Sequence, residues 1–208
     1  MENLVHYNVI AKIYGLLDII YFRNNNRNPR RALASCIEQT DARILDVCTG
    51  TAANAIEIAK RNQSSEITGI DISKAMLNIA ENKVKMLGLN NVHLYERNAF
   101  DTGYKDNTFD VIVIALVLHE VSQEACRKII LEAKRILKPD GKLLVLEWEK
   151  PKSTLRKLIF YPIRKMEPKG FDEFLKLDMK SYFQQFGLMV TDIKHCDYSK
   201  VLCIKPIK

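Results

Sequence analysis

Two aspartates, each closing a short apolar run, carry the clearest chemical signal in the sequence. Ile44-Leu45-Asp46-Val47 runs into Cys48-Thr49-Gly50-Thr51-Ala52, a loop of small residues, and a helical pattern follows. Ile67-Thr68-Gly69-Ile70-Asp71 repeats the theme, with Asp71 lying 25 residues after Asp46. Small residues let the loop backbone approach a ligand, and the free N–H groups of the next helix suit an anionic portion of it. A carboxylate at the second strand end can grip two ribose hydroxyls at once.

Charge separates the nucleotide-like ligands that use such a layout. A dinucleotide fingerprint, G-x-G-x-x-G, needs several glycines around a pyrophosphate. Here Gly50 stands alone and Asp46 would repel that group. S-adenosylmethionine, a sulfonium with an α-ammonium group, is attracted instead. For proton transfer, His119 in Leu118-His119-Glu120 is the best-placed side chain, because its ordinary pKa suits a general base. Local hydrogen bonding is the plainer reading of the same histidine. Glu147 closes another apolar run and faces either the cleft or a structural partner. Tyr7 and Tyr14 are candidates to close over a ligand, although a tyrosine on an apolar helix face is commonly core. His6, His93 and His195 have no spacing that suggests a metal, and no metal is expected.

The elements that must position these residues follow from periodicity. Residues 3–22 carry apolar groups at helical spacing, and Asn24-Asn25-Asn26 with Pro29 ends that pattern. A second helix is expected from Pro29 to Ile37. Strands are expected at 43–48, 66–70, 92–97, 109–115 and 142–147, with helices at 52–62, 73–87 and 122–137. Ser73 reads as an N-cap, Gly88 as the residue past a helix end, and Lys138-Pro139-Asp140-Gly141 as a turn. Strands alternating with helices imply right-handed crossovers and a parallel sheet covered on both faces. After Pro151 come a basic amphipathic helix at 153–165, interrupted at Pro162, then helix at 171–185. Strands at 188–194 and 201–204 are joined by a short connection and are therefore antiparallel. The expected fold is α/β, a Rossmann-like doubly wound, mostly parallel seven-stranded sheet with an antiparallel strand near one edge. It forms a single domain: a helical cap at 1–40, a cofactor-binding core at 41–150, a helical lid at 151–186 and a strand pair at 187–208.

Ile44 to Ala52 resembles the first motif of the class I S-adenosylmethionine-dependent methyltransferases. Within that superfamily the chain is similar to the ubiquinone/menaquinone biosynthesis C-methyltransferases over residues 8–151. Gly69-Ile70-Asp71-Ile72-Ser73, Asn98-Ala99, Lys105 to Asp110, Arg135 to Lys142 and Leu146 to Pro151 carry that similarity. The resemblance implies a cofactor site made by Tyr14, Asp46, Cys48, Thr49, Gly50, Thr51, Asp71, Ile72, Met76, Asn98, Ala99, Phe100 and Ala115. In it, Asp46 and Gly50 border the methionine portion, Asp71 holds the ribose, Ile72 and Asn98 meet the adenine, and Ala115 faces the methyl group. The family's glycine after Gly-Thr is Ala52 here, and the region after Pro151, which shapes the acceptor pocket in the family, departs from its pattern. The implied activity is methyl transfer to a small or lipid-like acceptor, such as a quinone precursor or a phospholipid amine. An RNA methyltransferase and a non-catalytic S-adenosylmethionine-binding protein are the rival readings.

Composition sets the outer limits. The chain of 208 residues is 47% hydrophobic, enough for a well-buried core. Its five scattered cysteines contain no C-x-x-C pair, which disfavours disulfides and structural zinc and fits a reducing, cytoplasmic compartment. No lysine or arginine precedes Lys12, so no signal peptide is expected, and the longest apolar run is too short to span a membrane. A net charge of +7 suits an anionic partner. Residues 150–169 hold seven basic residues against Glu167, with Leu158, Ile159, Phe160 and Tyr161 among them. That segment reads as a lid with a solvated basic face or as a peripheral membrane contact. RNA phosphates are a weaker match, since no recognisable RNA-binding module accompanies it.

Overall fold

The computed structural model describes residues 28–207, so the expected helix at 3–22, with Tyr7 and Tyr14, lies outside the described residues. Helix α1 (Pro29–Ala34) starts where the Asn28 side chain accepts from the Arg30 and Arg31 amides and Pro29 occupies the first turn. It is shorter than expected: Ser35 caps it and tight turns carry the chain to Ile37. Strand β1 (Arg43–Val47), α2 (Ala53–Arg61), β2 (Glu66–Asp71), α3 (Lys74–Met86), β3 (Val92–Glu96), β4 (Phe109–Ala115), α4 (Gln123–Ile136) and β5 (Leu137–Trp148) then alternate. After them come α5 (Thr154–Met166), the short helices α6 (Phe171–Phe174) and α7 (Met179–Gln184), and the strands β6 (Leu188–His195) and β7 (Ser199–Pro206).

The strands form one sheet in the order β3-β2-β1-β4-β5-β7-β6. β1 to β5 are parallel, and β7 is antiparallel to both of its neighbours, β5 and β6. The chain winds outward from β1 to β3 and then returns to β4 on the other side. The crevice for a ligand therefore opens at the carboxyl ends of β1 and β4. Side-chain alternation sends Ile44, Val111, Val113, Leu144 and Leu146 to one face, where they pack with Leu33, Ala55 and Ile58. Leu45, Val47, Ile112, Ile114 and Val145 go to the other, against Ile129, Ile130, Ala133 and Phe183. Burial on both faces explains why these strands read as continuous apolar runs rather than as alternating ones.

Three local differences from the sequence reading have physical causes. Lys138 to Gly141 does not separate helix from strand as a free turn. It bulges within β5, whose pairing with β4 jumps from Phe109–Leu137 to Val111–Lys142. A side chain at Gly141 would come within 2.9 Å of the Asp110 carbonyl oxygen, so the bulge needs that glycine. Pro162 does not interrupt α5, because it sits on the exposed side of the helix, where water can serve the carbonyl it leaves unpaired. The helix expected at 171–185 is two short ones, restarted at Asp178, whose carboxylate accepts from the Lys180 and Ser181 amides. The Ser73 cap and the left-handed Gly88 stand where expected.

Candidate functional site

The loop after β1 is held in an unusual backbone conformation. Cys48, Gly50 and Ala52 all have positive φ, between 55° and 59°. For Cys48 and Ala52 this costs strain that a surface loop would shed, and such outliers gather at ligand sites. Thr49 fixes the turn: its N–H donates to the Ile70 carbonyl at 2.9 Å and its hydroxyl donates to Asp46 Oδ2 at 2.6 Å. The side chain fits because Gly69 on β2 has no Cβ, which would lie 3.0 Å from Thr49 Cγ2 and 2.7 Å from Leu94 Cδ2. A Cβ at Gly50, by contrast, would meet nothing within 4 Å, so the loop faces open space there.

Asp46 is 1% exposed. Its Oδ1 meets no donor at hydrogen-bonding geometry among the described residues, although the Ala55 amide and Arg30 both favour its anion. Burial outweighs these influences and the Thr49 hydrogen bond, and pushes the carboxyl up to about 6. A buried carboxylate with one orphaned oxygen suits a cation. Asp71, at the end of β2, bridges the two loops. Its Oδ2 accepts from the Gly50 amide at 2.8 Å and its Oδ1 from the Ser73 amide at 2.8 Å. Both carboxylate oxygens keep lone pairs for a further donor. Ile72, next along the chain, is 72% exposed and Phe100 is 44% exposed, so both present open apolar surface.

The other predicted residues are placed as follows. Asn98 Oδ1 accepts from the Phe100 amide at 2.9 Å, the turn bond its residue type favours, with Ala99 half-buried between them. Thr51 Oγ1 accepts from Lys83 of α3 at 2.8 Å, which ties the loop to that helix. Met76 is half-buried in the first turn of α3, and its amide donates to the Ser73 hydroxyl. Cys48 is half-buried, and burial together with Asp71 and Asp46 pushes its thiol up to about 12, so it stays neutral. Ala115 ends β4, and Leu116 after it takes a positive φ that turns the chain away. Tyr14 lies outside the described residues.

On the far side of the same crevice, His119 stands among three carboxylates. Its Nδ1 donates to Glu147 Oε2 at 2.6 Å, and its Nε2 lies 3.3 Å from Glu167 Oε2 and 3.9 Å from Glu120 Oε1. Glu147 is fully buried and also accepts from the Val117, Leu118 and Trp148 amides. Burial alone would keep the imidazole neutral, but Glu147 and Glu167 outweigh it and raise its pKa to about 10. The ring is therefore an imidazolium at neutral pH. Phe171, Phe174 and Trp148 surround it, with ring centres 5.4 to 6.5 Å away. Glu167 gave no signal in the sequence, because it reaches His119 from the end of α5 across the fold. His195 pairs instead with Glu149 at 2.8 Å.

The structure thus sets two strand-end acids, Asp46 and Asp71, and the exposed Ile72 and Phe100 at the β1 and β2 side, and a buried imidazole packed among aromatic rings after β4. Comparison with known proteins identifies the family. The methyltransferase domain family matches residues 38–169. A demethylmenaquinone methyltransferase from Geobacillus sp. (strain WCH70) is 35% identical over 187 residues, covering 87% of this chain and 77% of that enzyme. A SAM dependent methyltransferase from Aquifex aeolicus has the same fold, with a TM-score of 0.69 at 23% identity, covering 93% of this chain and 96% of that one. The cyclase SpnF shares it too, with a TM-score of 0.63 at 20% identity over 90% of this chain and 86% of that one. Fold alone therefore does not fix the chemistry. The matches of sequence do, and the chain belongs to the class I S-adenosylmethionine-dependent methyltransferases.

Proposed function

We propose that this enzyme methylates a small, lipid-like aromatic acceptor of the reduced quinone class, and that His119 holds the acceptor as its anion. The observation that carries the reading is the buried cluster around His119, where Phe171, Phe174 and Trp148 pack about an imidazole held between Glu147 and Glu167. Similarity to the demethylmenaquinone methyltransferase supports the same acceptor class.

In this reading the residues at the β1 and β2 ends fit S-adenosylmethionine. The orphaned Oδ1 of buried Asp46 faces its cationic portion, Asp71 takes the ribose hydroxyls, and Ile72 and Phe100 flank the base. Bound there, the cofactor supplies an electrophilic methyl group. The chain aligns the acceptor, excludes water and steadies its charge. A protonated His119 cannot take a proton. It stabilises the phenolate-like oxygen that makes the acceptor ring nucleophilic, and the proton that leaves the methylated ring carbon passes to the Glu167 carboxylate beside Nε2. Glu147 locks the imidazole in place from behind.

His119→Gln keeps a hydrogen-bonding side chain but removes the charge. The expected result is a kcat lowered by about 10²-fold, with cofactor affinity by calorimetry unchanged. Full turnover in this variant would remove the ring from the reaction. The acceptor is tested with methyl-labelled cofactor and a reduced, unmethylated naphthoquinone beside total RNA. Label in the quinone supports the reading, and label confined to RNA supports the rival enzyme. Cofactor binding without any labelled product would favour a non-catalytic binding protein.

Asp46 adds a pH dependence. Its folded pKa of about 6 lies above the ordinary 3.8, so near pH 5 the free enzyme holds a proton there that a cationic ligand must displace. Cofactor affinity should fall as pH drops below about 6, and Asp46→Asn should flatten that profile. An affinity unchanged between pH 7 and pH 5, each about a unit from that midpoint, would separate Asp46 from the cation.

A further inference from the structure

Helix α5 carries two apolar stripes, and among the described residues only the inner one packs into a core cluster. Its inner face sends Phe160 and Ile163 into a cluster with Trp148 and Phe171, the same rings that pack about His119. Its outer face presents Leu155, Leu158, Pro162 and Met166, the spacing of one side of a helix. Leu155 is 69% exposed, Leu158 71% and Met166 60%, a contiguous apolar strip rather than scattered residues. Basic residues border the strip. Arg156 pairs with Asp197, and Arg164 with Asp172. Lys150, Lys152, Lys157, Lys165 and Lys169 form no ion pair among the described residues. No helix among the described residues is long and apolar enough to cross a membrane.

We infer that the outer face of α5 docks the enzyme on an anionic phospholipid surface, with the leucine strip in the acyl–headgroup boundary and the lysines at the lipid phosphates. Both halves of the pattern are needed for this partner. Nucleic acid would use the lysines but leave Leu155, Leu158 and Met166 in water. A bilayer uses both, and a helix with one charged side and one apolar side lies in its interface. The docked helix also borders the His119 cluster: its far end carries Glu167, 3.3 Å from His119. A lipid-tailed acceptor would then reach that cluster from the bilayer without its tail crossing water. The inference deepens the acceptor class proposed above and rests on it for its purpose, but its test needs no acceptor.

The test is co-sedimentation of the full chain with vesicles of phosphatidylcholine alone or mixed with phosphatidylglycerol. Binding is expected to the anionic vesicles only, and to weaken with salt. Leu155→Ser with Leu158→Ser, both on the exposed face, should abolish it, and Lys157→Gln with Lys165→Gln should lower it about fivefold per lysine. Turnover of a short-tailed, water-soluble quinol should be unchanged in both variants. Equal binding to neutral vesicles, or binding insensitive to the leucine pair, would overturn the inference. So would a dimer that the leucine variant dissolves, or preference for RNA over vesicles. Loss of quinol turnover with vesicle binding intact would instead count against the acceptor class alone.

Discussion

Glu147→Ala is expected to lower the free energy of unfolding by about 3–5 kcal/mol, the range for breaking a buried charge pair by removing one partner. The carboxylate accepts from four donors, the His119 ring and the Val117, Leu118 and Trp148 amides, and it is fully buried. Alanine leaves all four without that acceptor in a place water does not reach. Three of them belong to the segment that follows β4, so that turn, strained at Leu116, loses its anchor on β5. The variant also removes the larger of the two charges that keep the imidazole protonated. The folded ring titrates near 10 against an ordinary value of 6.5. Its paired charge therefore contributes fully below about pH 6.5 and is lost as pH rises through 10. Wild-type stability should decline across that window by on the order of a few kcal/mol, and the decline should shrink in Glu147→Ala. Urea unfolding at several pH values measures both. A loss under about 1 kcal/mol, typical of an exposed pair, would mean that the carboxylate is not the buried anchor described.

The parts of this molecule that were legible in its sequence are those fixed by local rules. Apolar runs ending in Asp46 and Asp71 announce strands, because a parallel sheet buries both strand faces, and they put both carboxylates at the carboxyl edge of that sheet. Ser73 and Gly88 are similarly local, since capping and positive φ restrict residue type where they occur. The bulge in β5 was not, because Lys-Pro-Asp-Gly has the same composition whether it ends a strand or loops out of one. Nor was the setting of His119. Its type and its place after β4 suggested a proton acceptor, but Glu147 and Glu167 arrive from β5 and α5, and no spacing along the chain shows that they converge. Those distant carboxylates set the ring's charge, and with it the role the ring can play. Asn98 falls between the cases: its side-chain oxygen already accepts from the Phe100 amide, which leaves one lone pair and the amide nitrogen for a further partner.

The second large effect is expected at Asp71. Asp71→Ala should weaken S-adenosylmethionine binding by at least about 10²-fold, the loss of two hydrogen bonds to a charged group at about 1.5–3 kcal/mol each. The structure adds a consequence that ribose binding alone does not. Each oxygen of this carboxylate already holds a loop amide, Gly50 on the β1 side and Ser73 on the β2 side. The variant should therefore also be less stable without cofactor, by about 1–3 kcal/mol for two amides left without their acceptor. Asp71→Asn separates the two effects. Its amide oxygen can keep one loop amide, so it should recover part of the stability, while its NH2 group points a donor at ribose hydroxyls that need an acceptor. Calorimetry and urea unfolding of the same three proteins decide the matter. If affinity falls only as far as stability does in both variants, Asp71 shapes the loop and nothing more. If Asp71→Asn is nearly as stable as the native chain yet binds no better than Asp71→Ala, the carboxylate meets the cofactor itself. Affinity unchanged in both would place the ribose elsewhere and leave the Gly50 and Ser73 bonds as the whole role of this strand end.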